Sequence, residues 1–315
     1  MTSSTEIPLA IGIDFGGTSI KSALVQGAQI LKHGALIDPQ NATAEQTLRA
    51  IETVIRNLCE GLPQLVPVGI GLPGLVDSTN GIVHGLSNVE GWDEIPVRAI
   101  LQERLKVPVI LENDANAMAY AEWRYGAARN TQNAICITLG TGVGGALILD
   151  GKLFRGSQLA AGEIGHASID YQGKPGVYGS TGGLEEYVGN GQITERADAA
   201  YAAAGVTPPA VPCNPEKLAH AAESGCPIAT KLWTDIGTEI GAAIASAVWL
   251  LNPDAIVIGG GVARAGKLVF DPIRASVNGR TAPVIHQNLK IEPATLGNDA
   301  GAIGCAALAL DAAVS

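Results

Sequence analysis

The run Leu111-Glu112-Asn113-Asp114-Ala115-Asn116-Ala117 follows an apolar strand and carries an Asn–Asp pair. Asp114 can do one of two things there. It can cap a helix, where the dipole stabilises its charge. It can also act as general base on a substrate hydroxyl, with Asn113 hydrogen-bonding a neighbouring one. Downstream, Ala161-Gly162-Glu163-Ile164-Gly165-His166 and Gly182-Gly183-Leu184-Glu185 add two carboxylates and an imidazole among glycines. Carboxylates accept hydrogen bonds from vicinal hydroxyls, and imidazole can donate or accept. A lone histidine is usually structural. His166, three residues after Glu163 in a segment without helical periodicity, fits a shared polyol site better.

Two glycine-rich hairpins supply a second kind of chemistry. The first is Ile11-Gly12-Ile13-Asp14-Phe15-Gly16-Gly17-Thr18, the second Ile135-Cys136-Ile137-Thr138-Leu139-Gly140-Thr141-Gly142. Each is a β-branched strand ending near a polar residue, then a small-residue turn, then another apolar strand. Turns without side chains let backbone N–H groups approach phosphate oxygens. The hydroxyls of Thr18, Thr138 and Thr141 can add hydrogen bonds. Asp14 can hold Mg²⁺ through water, because magnesium gives up its hydration reluctantly. Either copy alone reads equally well as an ordinary tight hairpin. Together, with Gly16 over Gly140 and Asp14 over Thr138, they imply a duplicated fold closing on a nucleotide.

The elements that must carry these residues follow from the pattern. Residues 10–36 read as a three-stranded meander with a turn at Gln26-Gly27. Thr43 to Leu58 has helical periodicity behind a capping threonine. Val68–Ile70 is a strand, Asn80-Gly81 a hairpin turn, Pro96–Leu105 a helix, Val109–Leu111 a strand and Asn113–Tyr125 a helix. This βββαβα order is half of a duplicated nucleotide-binding architecture. The second half opens with the strand Ala134–Leu139 and carries an insertion over about 150–250. A helix starts at Asn214-Pro215-Glu216, with Pro in its first turn. Thr230–Leu251 is a long helix, Ala255–Ile258 a strand, Leu268–Val277 a helix, Leu289–Ile291 a strand and Ala300–Ala312 the last helix. The proline-rich region 203–215 reads as a loop.

Composition narrows the function classes. A chain of 315 residues with 47% hydrophobic residues can bury the cores of about two domains. The net charge of −10 argues against non-specific binding to nucleic acid or anionic membranes. The N-terminus shows no signal-peptide pattern, and the apolar run Gly241–Leu251 is too short to span a bilayer. Cys59, Cys136, Cys213, Cys226 and Cys305, an odd count without CxxC spacing, fit reduced cytoplasmic thiols.

Two motifs fail on context. Gly140-Thr141-Gly142-Val143-Gly144-Gly145 satisfies GxGxxG, yet a strand follows it where dinucleotide binding needs a helix. Gly261 to Lys267 looks like a P-loop, yet Leu268 replaces the hydroxyl residue that should hold magnesium. Gly259-Gly260-Gly261 better suits close backbone approach to the flat face of a nucleoside.

The motifs and their order resemble the ROK family of sugar kinases and repressors over nearly the whole chain. The matching segments are Ile13–Thr18, Gly71–Gly74, Glu112–Asn116, Leu139–Gly145, Gly162–His166 and Ile258–Gly261. The resemblance implies an α/β, duplicated actin-like ATPase (ribonuclease H-like) fold, two lobes around a central cleft. Residues 1–117, joined by 298–315, would form the small lobe and 118–297 the large one. It implies Asp114 as catalytic base, with Asn113, Asp114, Glu163, His166 and Glu185 on the sugar. It places Gly16, Gly17, Thr18, Thr141 and Gly260 on the nucleotide. Ser87 and Asn88 match a position near the sugar more weakly.

One departure from the family pattern matters. Many ROK proteins bind zinc through the GExGH histidine and a CxCGxxGCxE run. Its cysteine positions fall here on Gly176, Tyr178 and Gly183, so no zinc is expected. The loop 171–183 is then expected to be held by packing through Tyr178. ROK repressors place a helix-turn-helix domain first. The hairpin begins about ten residues in, which favours a kinase.

The expected activity is ATP- and Mg²⁺-dependent phosphorylation of a hexose, foremost glucose at its 6-hydroxyl, by a cytoplasmic homodimer. No nucleic acid or membrane partner is expected. The alternatives are N-acetylmannosamine, N-acetylglucosamine, fructose or mannose as acceptor, polyphosphate as donor, and a sugar sensor without turnover.

Overall fold

Small residues alternate with large ones on the first strands, and this alternation decides which helices can cover each face. The computed structural model describes residues 7–16, 19–40, 42–86, 89 and 91–314. Its first elements are β1 (Leu9–Phe15), β2 (Ile20–Gln26), β3 (Gln29–His33), α1 (Ala44–Leu58), β4 (Val68–Leu72), β5 (Gly74–Asp77), β6 (Ile82–Leu86), α2 (Val97–Leu105), β7 (Val109–Asn113) and α3 (Asp114–Tyr125). Then come β8 (Ala134–Leu139), β9 (Val143–Leu149), β10 (Lys152–Phe154), α4 (Glu185–Val188), α5 (Asn190–Ala204), α6 (Pro215–Glu223) and α7 (Pro227–Leu251). The chain closes with β11 (Ala255–Gly259), α8 (Lys267–Arg280), α9 (Pro283–His286), β12 (Lys290–Pro293) and α10 (Ala300–Val314).

These elements form two units. One comprises Met1–Asn130, Arg155–Ala161 and Thr295–Ser315, the other Thr131–Phe154 and Gly162–Ala294. The first contains a sheet of order β3-β2-β1-β4-β7, the second one of order β10-β9-β8-β11-β12. In both, an antiparallel meander is followed by two parallel strands. The expected duplication is therefore present strand for strand.

In the first unit, Ile11, Ile13 and Phe15 of β1 and Val68, Ile70 and Leu72 of β4 join Leu48, Ile51 and Ile55 of α1 in one core. Side chains alternate across a strand, so Gly12, Asp14, Gly69 and Gly71 fall on the other face. That face receives α10. A Cβ on Gly12 would overlap the Ala302 carbonyl, and one on Gly69 the Cys305 carbonyl. A Cβ on Gly304, on the helix itself, would overlap the Ala117 carbonyl of α3. This backbone-on-backbone packing explains the Ala- and Gly-rich composition of α10. Thr43 caps α1 as expected, in a capping box with Gln46.

In the second unit, Ile135, Ile137 and Leu139 of β8 and Ile256 and Ile258 of β11 pack with Ile236, Ile240 and Ile244 of α7 and Val269 and Ile273 of α8. The expected helix from Thr230 starts earlier, with Pro227 in its first turn, and runs for 25 residues. The run Gly241–Leu251 is thus the end of a helix long and apolar enough to cross a membrane by length and composition. Length alone does not exclude a span; its buried isoleucines make it a core helix. The strand expected after GxGxxG is β9, and α5 lies within the insertion expected over about 150–250.

Candidate functional site

Strand register assembles the first group of candidate residues. Asp14 pairs with Lys21 on one side and Gly71 on the other, and Gly71 pairs with Glu112. Lys21, Asp14, Gly71 and Glu112 therefore form one row across four strands. The row lies near the carboxyl ends of the parallel strands, where open α/β sheets bind ligands. The Asp14 carboxyl is partly buried, and loss of hydration raises its pKa above the ordinary 3.8, partly opposed by Lys21. The Cys305 thiol stands below the row. Burial pushes its pKa well up, and Asp14, Glu112 and Asp114 push it further.

Asn113 ends β7 and opens α3. It is the N-cap: its Oδ1 accepts the Asn116 N–H at 3.2 Å, a cap stabilising the helix by about 1 kcal/mol. The capping alternative considered for Asp114 therefore belongs to its neighbour. Asp114 is the first helical residue, its Oδ1 accepting the Ala115 N–H at 2.8 Å. It sits close to the row, since a Cβ on Gly71 would lie 3.5 Å from the Asp114 Cα.

The second group belongs to the second unit. Gly140 closes its hairpin by donating to the Gly142 carbonyl at 2.9 Å, and the Asn190 N–H donates to the Gly140 carbonyl at 2.9 Å. Glu185, opening α4, takes the Val143 N–H on Oε2 at 2.7 Å. Glu163 precedes a short 3₁₀ turn, Ile164–His166. Partial loss of hydration raises the Glu163 pKa above 4.5; His166 lowers it and Glu185 raises it. Glu163 is thus close enough to both His166 and Glu185 to feel their charge.

Gly260 has φ +91°, and a Cβ there would overlap the Leu139 carbonyl at the end of β8. The fold alone demands that glycine. Gly140 and Gly261 are different. Neither has a positive φ, and a Cβ on either would meet nothing within 4 Å. The Gly140–Thr141–Gly142 turn and the Gly259–Gly261 turn follow neighbouring strands, with Thr138 paired to Gly259.

One expectation about the loop 171–183 is corrected. Tyr178 does not staple it. The residue is 94% exposed, and its ring stands edge-to-face with the His166 ring, centroids 6.4 Å apart. Backbone hydrogen bonds hold the loop instead, from Ile169 to Gly182 at 2.8 Å and from Leu184 to Ala167 at 3.1 Å. The Lys174 N–H also donates to the Tyr187 hydroxyl at 3.0 Å. Gly17, Thr18, Ser87 and Asn88 lie outside the described residues.

Two residues without an expected role stand at the acceptor motif. Glu112 is buried on β7 and takes the Asn113 N–H at 3.0 Å and the Asn116 Nδ2 at 2.9 Å, both on Oε1. Arg155 donates to its Oε2. A carboxylate at an inward strand position signals a buried partner, but nothing local in sequence names Arg155.

The ROK family model matches residues 10–312. A glucokinase of Streptomyces coelicolor is 34% identical, the match covering 96% of this chain and 97% of that protein. A xylose repressor of Bacillus spizizenii is 29% identical, over 96% of this chain and 77% of its own length. Among solved structures, a ROK family glucokinase from Streptomyces griseus in complex with glucose and AMPPNP is 33% identical, with a TM-score of 0.79 over 96% of this chain and all of that one. A ROK hexokinase from Thermus thermophilus gives a TM-score of 0.81 at 28% identity, covering 98% of this chain and all of that one. The fold is accordingly the duplicated actin-like ATPase fold, and with its two matching sheets and the motifs at their strand ends the chain belongs to the ROK family.

Proposed function

We propose that the protein is an ATP-dependent hexokinase that transfers the γ-phosphoryl group to a sugar hydroxyl, foremost the 6-hydroxyl of glucose. The register row carries this reading. It sets Asp14 and the Asn113–Asp114 turn at the same end of one sheet, so a phosphate-side carboxylate and an acceptor-side base share a rigid support. The likeness to a glucokinase solved with glucose and AMPPNP supports the same substrates.

Asp114 would accept the hydroxyl proton as the sugar oxygen bonds to phosphorus and the bond to the leaving ADP breaks. Such a base contributes roughly 10²–10⁴-fold in rate. Asn113 spends Oδ1 on the helix cap, which leaves its Nδ2 as the donor for a neighbouring hydroxyl. Glu163, His166 and Glu185 would take further hydroxyls. Gly16, Gly17, Thr18, Thr141 and Gly260 would lie along the nucleotide, and the bare surfaces of Gly140 and Gly261 leave room for it. Asp14, short of hydration, suits a Mg²⁺ that keeps most of its own waters. Magnesium would neutralise phosphate charge, which with positioning is most of what phosphoryl transfer requires.

The test is a coupled assay of ADP formation with ATP, Mg²⁺ and a panel of hexoses. Turnover should depend on sugar, and Asp114→Asn should keep sugar binding while losing most turnover. Sugar binding without ADP from any hexose would instead favour a sensor, a reading that the repressors among the relatives also support.

A further inference from the structure

We infer that the Glu112–Arg155 pair is a positioning brace for the acceptor turn, setting the Asn113 backbone and the first turn of α3 so that Asp114 faces the sugar hydroxyl. The inference rests on the kinase reading for its consequence and on geometry for its existence.

Glu112 sits in the last positions of β7 with a side chain only 3% exposed, while Arg155 is 35% exposed. Its two oxygens are used for different purposes. Oε1 takes the N–H of Asn113, the last residue of the strand, and the Nδ2 of Asn116, one turn into the helix. It thus clamps the strand–helix junction from both sides. Oε2 takes Nε and Nη2 of Arg155, each at 2.7 Å. Charged hydrogen bonds of this kind are the stronger ones, and a planar fork holds a carboxylate at a fixed angle as an ammonium cannot.

Two further observations point to this pair as a device and not a chance contact. Arg155 opens the segment Arg155–Ala161, which belongs to the first unit although the chain on both sides of it belongs to the second. The chain thus returns to the acceptor turn for a few residues, and Arg155 is the side chain it brings to Glu112. Removing the guanidinium would leave a buried carboxylate without its cation, and such a group relaxes by moving. Finally, a cavity of about 460 Å³ lies against both side chains, lined also by Ser78, Arg98 and Gln102. A small cation can therefore reach Glu112 from solvent.

That cavity allows a test by chemical rescue. In Arg155→Ala, kcat for the hexose should fall by on the order of 10²-fold, the scale set by small misplacements of a reacting group. KM for ATP should stay unchanged. Millimolar guanidinium chloride should restore part of kcat, and equal ionic strength of potassium chloride should not. Arg155→Lys should fall between the wild type and the alanine variant, and it serves as the second variant if alanine prevents folding.

Hydrogen–deuterium exchange of the peptide spanning residues 109–118 should speed up in Arg155→Ala, slow again with guanidinium, and leave the peptides of β8 and β11 unaffected. Unchanged exchange in that peptide would overturn the brace whatever the activity. A loss of kcat equally large for Arg155→Lys and untouched by guanidinium would overturn its positioning role. Absence of wild-type turnover on every hexose would sink the kinase reading alone, since exchange still reads the brace.

Discussion

Asp114, Asp14 and Glu163 are three carboxylates in three environments, and each should respond differently to change. Asp114→Asn keeps the shape of the acceptor turn and removes the base, so kcat should drop by roughly 10²–10⁴-fold with hexose affinity retained by calorimetry. Asp14 carries a raised pKa because burial strips its hydration. A native pKa above the unfolded 3.8 means the folded state holds the proton more tightly. Stability from this group is therefore fully present below 3.8 and is lost as pH rises through the native value. At neutral pH the charged Asp14 burdens the fold, so Asp14→Asn should raise Tm while abolishing Mg²⁺-dependent turnover. Glu163 also has a raised pKa, and only its ionised form offers every lone pair to sugar hydroxyls. KM for the hexose should climb as pH falls through that pKa, and Glu163→Gln should flatten the dependence. A KM independent of pH in the wild type would remove Glu163 from the sugar.

At the scale of elements, α10 is the piece the first unit cannot lose. It lies against glycines of β1 and β4, and its own Gly304 meets α3 backbone. Gly304→Ala has no space to use and should destabilise by about 1–3 kcal/mol or more, visible as a lower denaturation midpoint. The hairpins, the Thr43 cap and the βββαβα order were legible because each has a local cause: turn chemistry, a capping hydroxyl, or a period of alternation. The acceptor turn was legible only in outline. Asn113 and Asp114 both suit a helix start, and adjacent residues of similar capping strength cannot be ranked without the backbone. A bulky aromatic such as Tyr178 suggests packing, whereas the residue is 94% exposed, on a backbone at φ +55°. Arg155 was invisible because its partner is 43 residues away along the chain, with no periodicity linking the two.

At the scale of the whole molecule, duplication is the governing fact. Two sheets of identical strand order each present a glycine turn after the first strand, and the second-to-last residue of that strand is Asp14 in one and Thr138 in the other. The copies have diverged where their chemistry differs, a row carrying Asp14 and Glu112 in the first unit against a threonine between glycines in the second. The family membership was legible in the order of the motifs, since no single one would have sufficed. Sugar identity was not, because one hydroxyl or acetamido group is decided by pocket shape. The decisive measurement is ADP release by wild type and Asp114→Asn, side by side, with ATP, Mg²⁺ and each hexose in turn. The expected result is sugar-dependent ADP release by the wild type, fastest with glucose, and near-background release by a variant that still binds the sugar. Near-normal turnover by Asp114→Asn, or no ADP from the wild type with any hexose, would contradict it.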